Sequence, residues 1–289
     1  MANLQARGVS QRRACTALRF NRSSARYVAS QSPVNEAIRH ELLTLARRHR
    51  RWGSPRLHAV IRDSGHAVNH KRVERIYREA GLTLPRRRPR RKRTQPTQCR
   101  EIEARGPNEV WSYDFVHDRT QYGEKLKVLV LVDEYTRECL EVRVEKRLRG
   151  QDVLETLDEV MHERGTPRHI RSDNGSEFRS RVLKRWLKEK GVDPIFVEPG
   201  SPWQNGYVES LNGKLRDECL NEEMFFSRAE AQTVVDWWRQ VYNEQRPHMS
   251  LGYKTPRAFA AEHEESKTTA KRGLVRMEGM NVVTDTVAD

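Results

Sequence analysis

The sequence predicts an α/β fold: a mixed five-stranded sheet with helices on its faces, preceded by an all-α basic region. Three observations carry this. Charge divides the chain, because residues 1–100 hold 25 Lys and Arg against 5 Asp and Glu, whereas residues 101–289 hold 29 against 35. Near residue 109 the apolar period changes from the 3.6 of helices to the 2 of strands. Beyond that point extended and helical stretches follow in the order β-β-β-α-β-α-β-α, which describes helices laid on the faces of a sheet.

In residues 1–34, Val9, Ala14, Ala17, Leu18 and Phe20 recur among arginines up to a break at Asn21, as either a small helix-turn-helix or a basic arm would. Residues 35–85 read as a helix-turn-helix module. A first helix starts at Pro33 or Asn35, carries Ile38, Leu42, Leu45 and Ala46 at helical spacing, and stops at Gly53. Ser54 and Pro55 suit the N-cap and first turn of a second helix holding Leu57, Val60 and Ile61, ended by Gly65. Asn69 caps a third, with Val73, Ile76 and Tyr77 inward, Lys71, Arg72, Arg75 and Arg78 outward, and Gly81 as the stop. A basic third helix suits a major groove, so these four cations are candidate DNA contacts; the alternative is a basic packing module that touches no groove. Residues 86–104 form a basic linker. Its Arg86, Arg87, Arg88, Arg90, Arg91, Lys92 and Arg93 repel one another and favour contact with phosphates, with a salt-sensitive contribution from each.

Residues 105–263 read as the sheet domain. Strands are expected at 110–117, 126–132 and 139–144, the last alternating Leu140, Val142 and Val144 against Glu141, Arg143 and Glu145 as an edge strand does. A helix with Val153, Leu157, Val160 and Met161 on one face ends at Gly165. A short strand at 169–172, a helix carrying Val182, Leu183, Trp186 and Leu187, and a strand at 195–197 follow. After Pro202 one helix gathers Val208, Leu211, Leu215 and Cys219, another Val234, Val235, Trp238 and Val241, and residues 264–289 read as a polar tail. The four cysteines, Cys15, Cys99, Cys139 and Cys219, have no spacing that suits zinc, and no apolar run reaches the length of a membrane span. The chain reads as soluble, reduced and cytoplasmic.

The candidate chemistry lies in carboxylates. Asp173 closes a short apolar strand and precedes the turn dipeptide Asn174-Gly175, Glu209 lies on a helix, and Asp114 sits inside the aromatic strand Trp111-Ser112-Tyr113-Asp114-Phe115. A charge there is costly unless something cationic meets it, so three carboxylates brought together need a metal. Asp118, Asp133, Glu134 and Glu177 read as turn or surface residues, with Asp118 the alternative to Asp114 and Asp133→Ala expected to be mild. His117 and His248 read as structural or phosphate-touching, with an aid to catalysis as the alternative, and Trp203 and Tyr207 as either base-stacking or packing residues.

Trp111-Ser112-Tyr113-Asp114-Phe115, Ser172-Asp173-Asn174-Gly175 and the run from Ser201 through Asn205-Gly206-Tyr207-Val208-Glu209 to Arg216 resemble the DDE transposases of bacterial insertion sequences, relatives of retroviral integrases. The closest type is the product of the second of two overlapping frames, OrfB, and the resemblance runs from the helical module to Tyr242-Asn243-Glu244-Gln245-Arg246-Pro247-His248. It implies a ribonuclease-H-like core, Asp114, Asp173 and Glu209 as the catalytic and metal-binding triad, Arg216 as a DNA contact, and two Mg²⁺ ions for which Mn²⁺ substitutes. It also implies double-stranded DNA as substrate, a homo-oligomer on that DNA, and an upstream-frame partner or fusion of the OrfA type. Unlike the retroviral relatives, the sequence shows no His-His-Cys-Cys zinc module and no room for a β-barrel after the core. End recognition then rests on residues 1–93 or on another polypeptide. The competing readings are a nuclease of the same fold that cuts without joining, and a non-catalytic DNA-binding protein, against which the intact triad argues.

Overall fold

The computed structural model describes residues 2–26, 32–85, 102–173, 175, 180–198 and 202–263. The basic run from Arg86 to Arg93, Cys99, Glu177 and the segment 264–289 lie outside the described residues, as does the side chain of Trp203.

Six helices come first. α1 (Ala2–Ala6), α2 (Gln11–Ala17) and α3 (Arg22–Arg26) are short. Ser10 caps α2 through Arg13 N, and the Asn21 carboxamide accepts from Ser23 N, so the expected break at Asn21 is a helix start. α4 (Pro33–Arg48), α5 (Ser54–Asp63) and α6 (His70–Glu79) follow. Pro33 is the first residue of α4, where its missing N–H costs nothing. Gly53, not Ser54, occupies the N-cap of α5, and Ser54 already lies within the helix. Asn69 caps α6 by accepting from Lys71 N at 2.9 Å, as its side chain suggests. Gly65 and Gly81 sit just past the second and third helices at φ +93° and +70°, the left-handed region that favours glycine. Ile38, Leu42, Trp52, Leu57, Ile61, Val73, Ile76 and Tyr77 bury together as the core of this module.

The sheet order is β3-β2-β1-β4-β5, with β1 (Val110–Arg119), β2 (Lys125–Asp133) and β3 (Cys139–Glu145) antiparallel and β4 (His169–Ser172) and β5 (Asp193–Phe196) parallel to β1. This is the mixed five-stranded sheet expected, with β3 on one edge. α7 (Gly150–Arg164) and α8 (Arg181–Glu189) cover one face through Val153, Leu157, Val160, Leu183 and Leu187. α9 (Gly206–Leu215), a widened π-helical turn Arg216–Leu220, and α10 (Arg228–Glu244) cover the other.

Three apolar residues depart from their expected places. The register between β2 and β3 slips, with Leu131 opposite Glu141 but Val132 opposite Cys139. Leu140 is the extra residue of this bulge, so it faces α7 while Val142 and Val144 face α10. Val182 is 59% exposed, because Leu183 and Leu187 already fill the contact that α8 makes with the sheet. Val241 turns away from the sheet and joins the core of the helical module. The module is thereby docked on α10, and Arg51 adds a hydrogen bond to the Asp217 carbonyl at 3.2 Å and an ion pair with Glu222.

Of the turn or surface reading of Asp133 and Glu134, the turn holds and the surface does not. Neither is a surface residue; they are 2% and 1% exposed. The Asp133 carboxylate accepts from Asn108 N at 2.7 Å, Tyr135 N at 2.8 Å and Thr136 N at 3.0 Å, closing the β2–β3 turn and tying it to the approach to β1. Alanine there would leave three N–H donors without their acceptor. Asp133→Ala is therefore expected to cost about 2–4 kcal/mol, a fall in Tm of roughly 5–10 °C by calorimetry. A melting temperature equal to wild type would show that the turn does not need this carboxylate.

Candidate active site

The site is built where β1 and β4 run side by side. Their parallel register pairs Trp111 with Ile170 and Ser112 with Arg171, which carries Asp114 alongside Asp173 two residues further on. Neighbouring strands lie about 4.8 Å apart, so the two carboxylates emerge next to each other at the β4 end. α9 crosses the same region. Val208, Leu211 and Leu215 bury against the sheet, which turns the Glu209, Asn212 and Arg216 side of the helix toward β1.

Asp114 is half-buried, and its carboxylate takes Phe115 N at 2.8 Å and Asn212 Nδ2 at 2.9 Å. Burial pushes its pKa up to about 6; Asp173 and Glu209 push the same way, while those two hydrogen bonds oppose them. The three predicted carboxylates therefore share one electrostatic neighbourhood. Asp173 and Glu209 are themselves exposed, and Asp173 accepts from Gly175 N at 2.9 Å. Among the described residues no three His, Cys, Asp or Glu side chains already stand as a formed metal cage. Asp118, the alternative, bonds Arg119 N and lies toward Cys219.

Arg216 is exposed, and its guanidinium donates to the His117 carbonyl of β1 at 3.1 Å. Of the candidate cations on α6, Arg72 donates to Asn35 at 2.7 Å, while Arg75 and Arg78 pair with Glu79 and Glu74 one turn away. Lys71 is exposed. Tyr207 lies under the Arg137 guanidinium, 3.8 Å from its ring centroid, rather than presenting a bare face. His248 is buried edge-on to Tyr242, and burial, with Arg246 and Lys214 beside it, lowers its pKa to about 2, so it stays neutral.

Two contributors went unnoticed in the sequence. Asn212 stands one turn after Glu209, and that spacing was the available signal. Arg171, next but one before Asp173, is 3% exposed and pairs with buried Glu134 at 3.3 Å. It donates to the Gln204 carbonyl at 2.9 Å, just before α9, and to the Ile102 carbonyl at 2.7 Å. Ser112 Oγ donates to the other side of the pair, to Glu134 Oε1. Read as an ordinary strand residue, Arg171 instead fastens the entry to the Glu209 helix against the strand of Asp173.

Comparison with known proteins agrees with this architecture. Residues 104–202 and 190–256 match models of the integrase core domain, and residues 33–90 match the HTH-like domain. A 31.7 kDa protein of insertion element IS407 from Burkholderia multivorans is 44% identical over 88% of this chain and 92% of its own length. The transposase for insertion sequence element IS904 of Lactococcus lactis is 27% identical over 80% of this chain and 96% of its own. Among solved structures, the catalytic core domain of HTLV-2 integrase covers 55% of this chain and 99% of its own, at 18% identity and a TM-score of 0.44. With its HTH-like domain, its integrase core and 44% identity to an insertion-element protein along nearly its whole length, the chain belongs to the insertion-sequence transposase family.

Proposed function

We propose that this protein cuts and rejoins DNA at the ends of an insertion sequence, with Asp114, Asp173 and Glu209 as the catalytic, metal-holding carboxylates of a DDE transposase. One observation carries the reading: strand register sets Asp173 beside Asp114, and the Asn212 hydrogen bond brings the helix of Glu209 to the same carboxylate, although the three residues are distant in sequence. The donor set fits a hard divalent cation, since all three ligands are carboxylates and, among the described residues, Asp114 takes only the uncharged donors Phe115 N and Asn212. Two Mg²⁺ ions, or Mn²⁺ in their place, would be held by these three side chains and would supply electrostatic stabilisation of the attacking and leaving oxygens at phosphorus.

The remaining work falls to the chain. Asn212 orients the Asp114 carboxylate, and the Arg171 anchor fixes where the Glu209 helix begins. Arg216, braced on the His117 carbonyl, puts a cation beside the site for a phosphate of the bound strand. Hydrolysis at the element end frees a 3′-hydroxyl, and that hydroxyl then attacks a second phosphodiester, displacing its 3′-oxygen as the leaving group, and joins the strands. One site serves both steps. Element ends and target are double-stranded DNA, gripped also by the basic front third. Two ends must be held at once, so the protein acts as a homo-oligomer on DNA, with an OrfA-type upstream frame as partner or fusion. Its place of work is the bacterial nucleoid, in the cytoplasm.

Changing Asp114, Asp173 or Glu209 to Ala should abolish cleavage and joining together, by on the order of 10³-fold or more, while DNA binding persists. A variant that retains near-normal rates would remove that residue from the triad, and a wild type that only cuts would replace the transposase with a nuclease. Activity should require Mg²⁺ or Mn²⁺ and fail with Ca²⁺, whose looser coordination does not suit in-line displacement. Full rates after exhaustive chelation would end the metal mechanism.

Asp114 also sets a pH dependence in metal-free buffer. Its pKa rises from near 3.8 to about 6 on folding, so its stabilising contribution is complete below the ordinary value and is lost as pH climbs through about 6. Asp114→Asn cannot ionise and should melt at least about 2 °C above wild type near pH 7.5, with no difference below about pH 4. A Tm difference that is the same at both pH values would contradict the shift.

A further inference from the structure

The core carries a second concentration of charge that the candidate active site does not use. A concavity of about 460 Å³ at the β1–β2 hairpin is edged by Arg119, Lys125, Lys127, Lys146 and Arg147, with Asp118 the one carboxylate among its lining residues. Arg119 and Lys125 stand directly opposite each other across the two strands. Like charges so placed are destabilising, and the fold keeps them. The nearby carboxylates are engaged elsewhere: Glu145, opposite Lys127, pairs with Arg228 at 2.7 Å, and Asp118 accepts from the Arg119 backbone N–H. Lys127 lies 3.9 Å from the Phe115 ring centroid and reaches the Leu148 carbonyl at 3.4 Å, which fixes it at the concavity wall. Lys146 pairs with Glu124 at 3.8 Å.

The concavity also has a fixed relation to the site. It opens on the strand that carries Asp114, and Arg216 binds the carbonyl of His117, a lining residue. Side chains alternate along a strand, so Arg119, Lys125 opposite it and Lys127 beside Phe115 stand on the α7 face of the sheet, the face opposite Asp114. Flexible lysines acting as point charges suit backbone phosphates, which carry no sequence information.

We infer that this concavity is a second DNA-binding surface, which grips the phosphate backbone of duplex DNA away from the reacting phosphodiester and adds sequence-independent, salt-sensitive affinity. The inference rests on the proposed function for its choice of polyanion. The test uses the full chain carrying Glu209→Gln to hold cutting off, and follows binding to a short mixed-sequence duplex by fluorescence anisotropy across a salt series. Two triple variants are compared, Lys125→Glu with Lys146→Glu and Arg147→Glu, against the charge-preserving Lys125→Arg, Lys146→Arg and Arg147→Lys. The charge-reversed protein should bind at least about 10-fold more weakly at moderate salt, with a log–log salt slope shallower by about 2–3, and the charge-preserving one should match the parent. Unchanged affinity and slope in a reversed variant of parental Tm would overturn the inference. If that variant fails to fold, Lys125→Gln and Arg147→Gln singly should each lower the slope by about 1, and no change in either would overturn it equally. The readout needs no catalysis. A protein that binds here but never cuts or joins defeats the proposed function alone, and one that cuts and joins but whose variants bind unchanged defeats this surface alone.

Discussion

The buried ion pair between Arg171 and Glu134 is the contact on which the rest of the core most depends. At 3% and 1% exposure both charges have lost most of their water, a cost that their mutual attraction at 3.3 Å offsets only with further hydrogen bonds. Those bonds come from three separate segments: Ser112 on β1, Gln204 before α9, and Ile102 on the approach to the sheet. Glu134 Oε2 and Arg171 Nε remain without a hydrogen-bond partner among the described residues, so satisfaction is incomplete and the arrangement has little slack. Removing one partner of such a pair costs about 3–5 kcal/mol, because it strands the other charge.

That constraint sits directly behind the candidate active site. Two residues beyond Ser112 is Asp114, two beyond Arg171 is Asp173, and five beyond Gln204 is Glu209. Each carboxylate is thus one short step of backbone from a group bound to the same pair. Asp133 does parallel work, holding the turn through three backbone N–H groups and leaving Arg137 in the left-handed region at φ +63°. From there Arg137 covers Tyr207, two residues before Glu209. The polar interior of the sheet edge thus positions side chains that are themselves exposed.

The helical module joins this framework instead of standing apart. Val241 of α10 completes its core, Arg51 bonds the π-helical turn that follows α9, and Arg246 binds Glu218 of that turn through three hydrogen bonds. His49 stacks on Trp52 at 3.7 Å and, largely through burial, is held neutral, its pKa lowered to about 4. Widened helical turns recur at functional sites, and this one lies between the Glu209 helix and the DNA-binding module. Movement of the module on DNA would therefore reach the end of α9 through packed and hydrogen-bonded groups.

Local physics made much of this legible in advance. Asn69 as a cap, the glycines after α5 and α6, and the five strands and their helices follow from short-range rules of period, capping and turn chemistry, and the proposal of Asp114, Asp173 and Glu209 starts from motifs written in contiguous residues. What failed had a common cause. Asp133 and Glu134 read as turn or surface residues, and only their partners across the fold show that the turn they close is buried. The bulge at Leu140, the outward Val241 and the pairing of Arg171 with Gln204 and Ile102 depend on what each residue meets across the fold. So does the basic concavity, whose members are scattered from residue 119 to 147 and gathered by strand pairing. Sequence determined the element types and the chemistry of the carboxylates, because backbone preference and side-chain reactivity are properties of a residue and its near neighbours. Tertiary structure alone decided which charges are buried, because the cost of removing a charge from water is set by neighbours that the chain brings from far away.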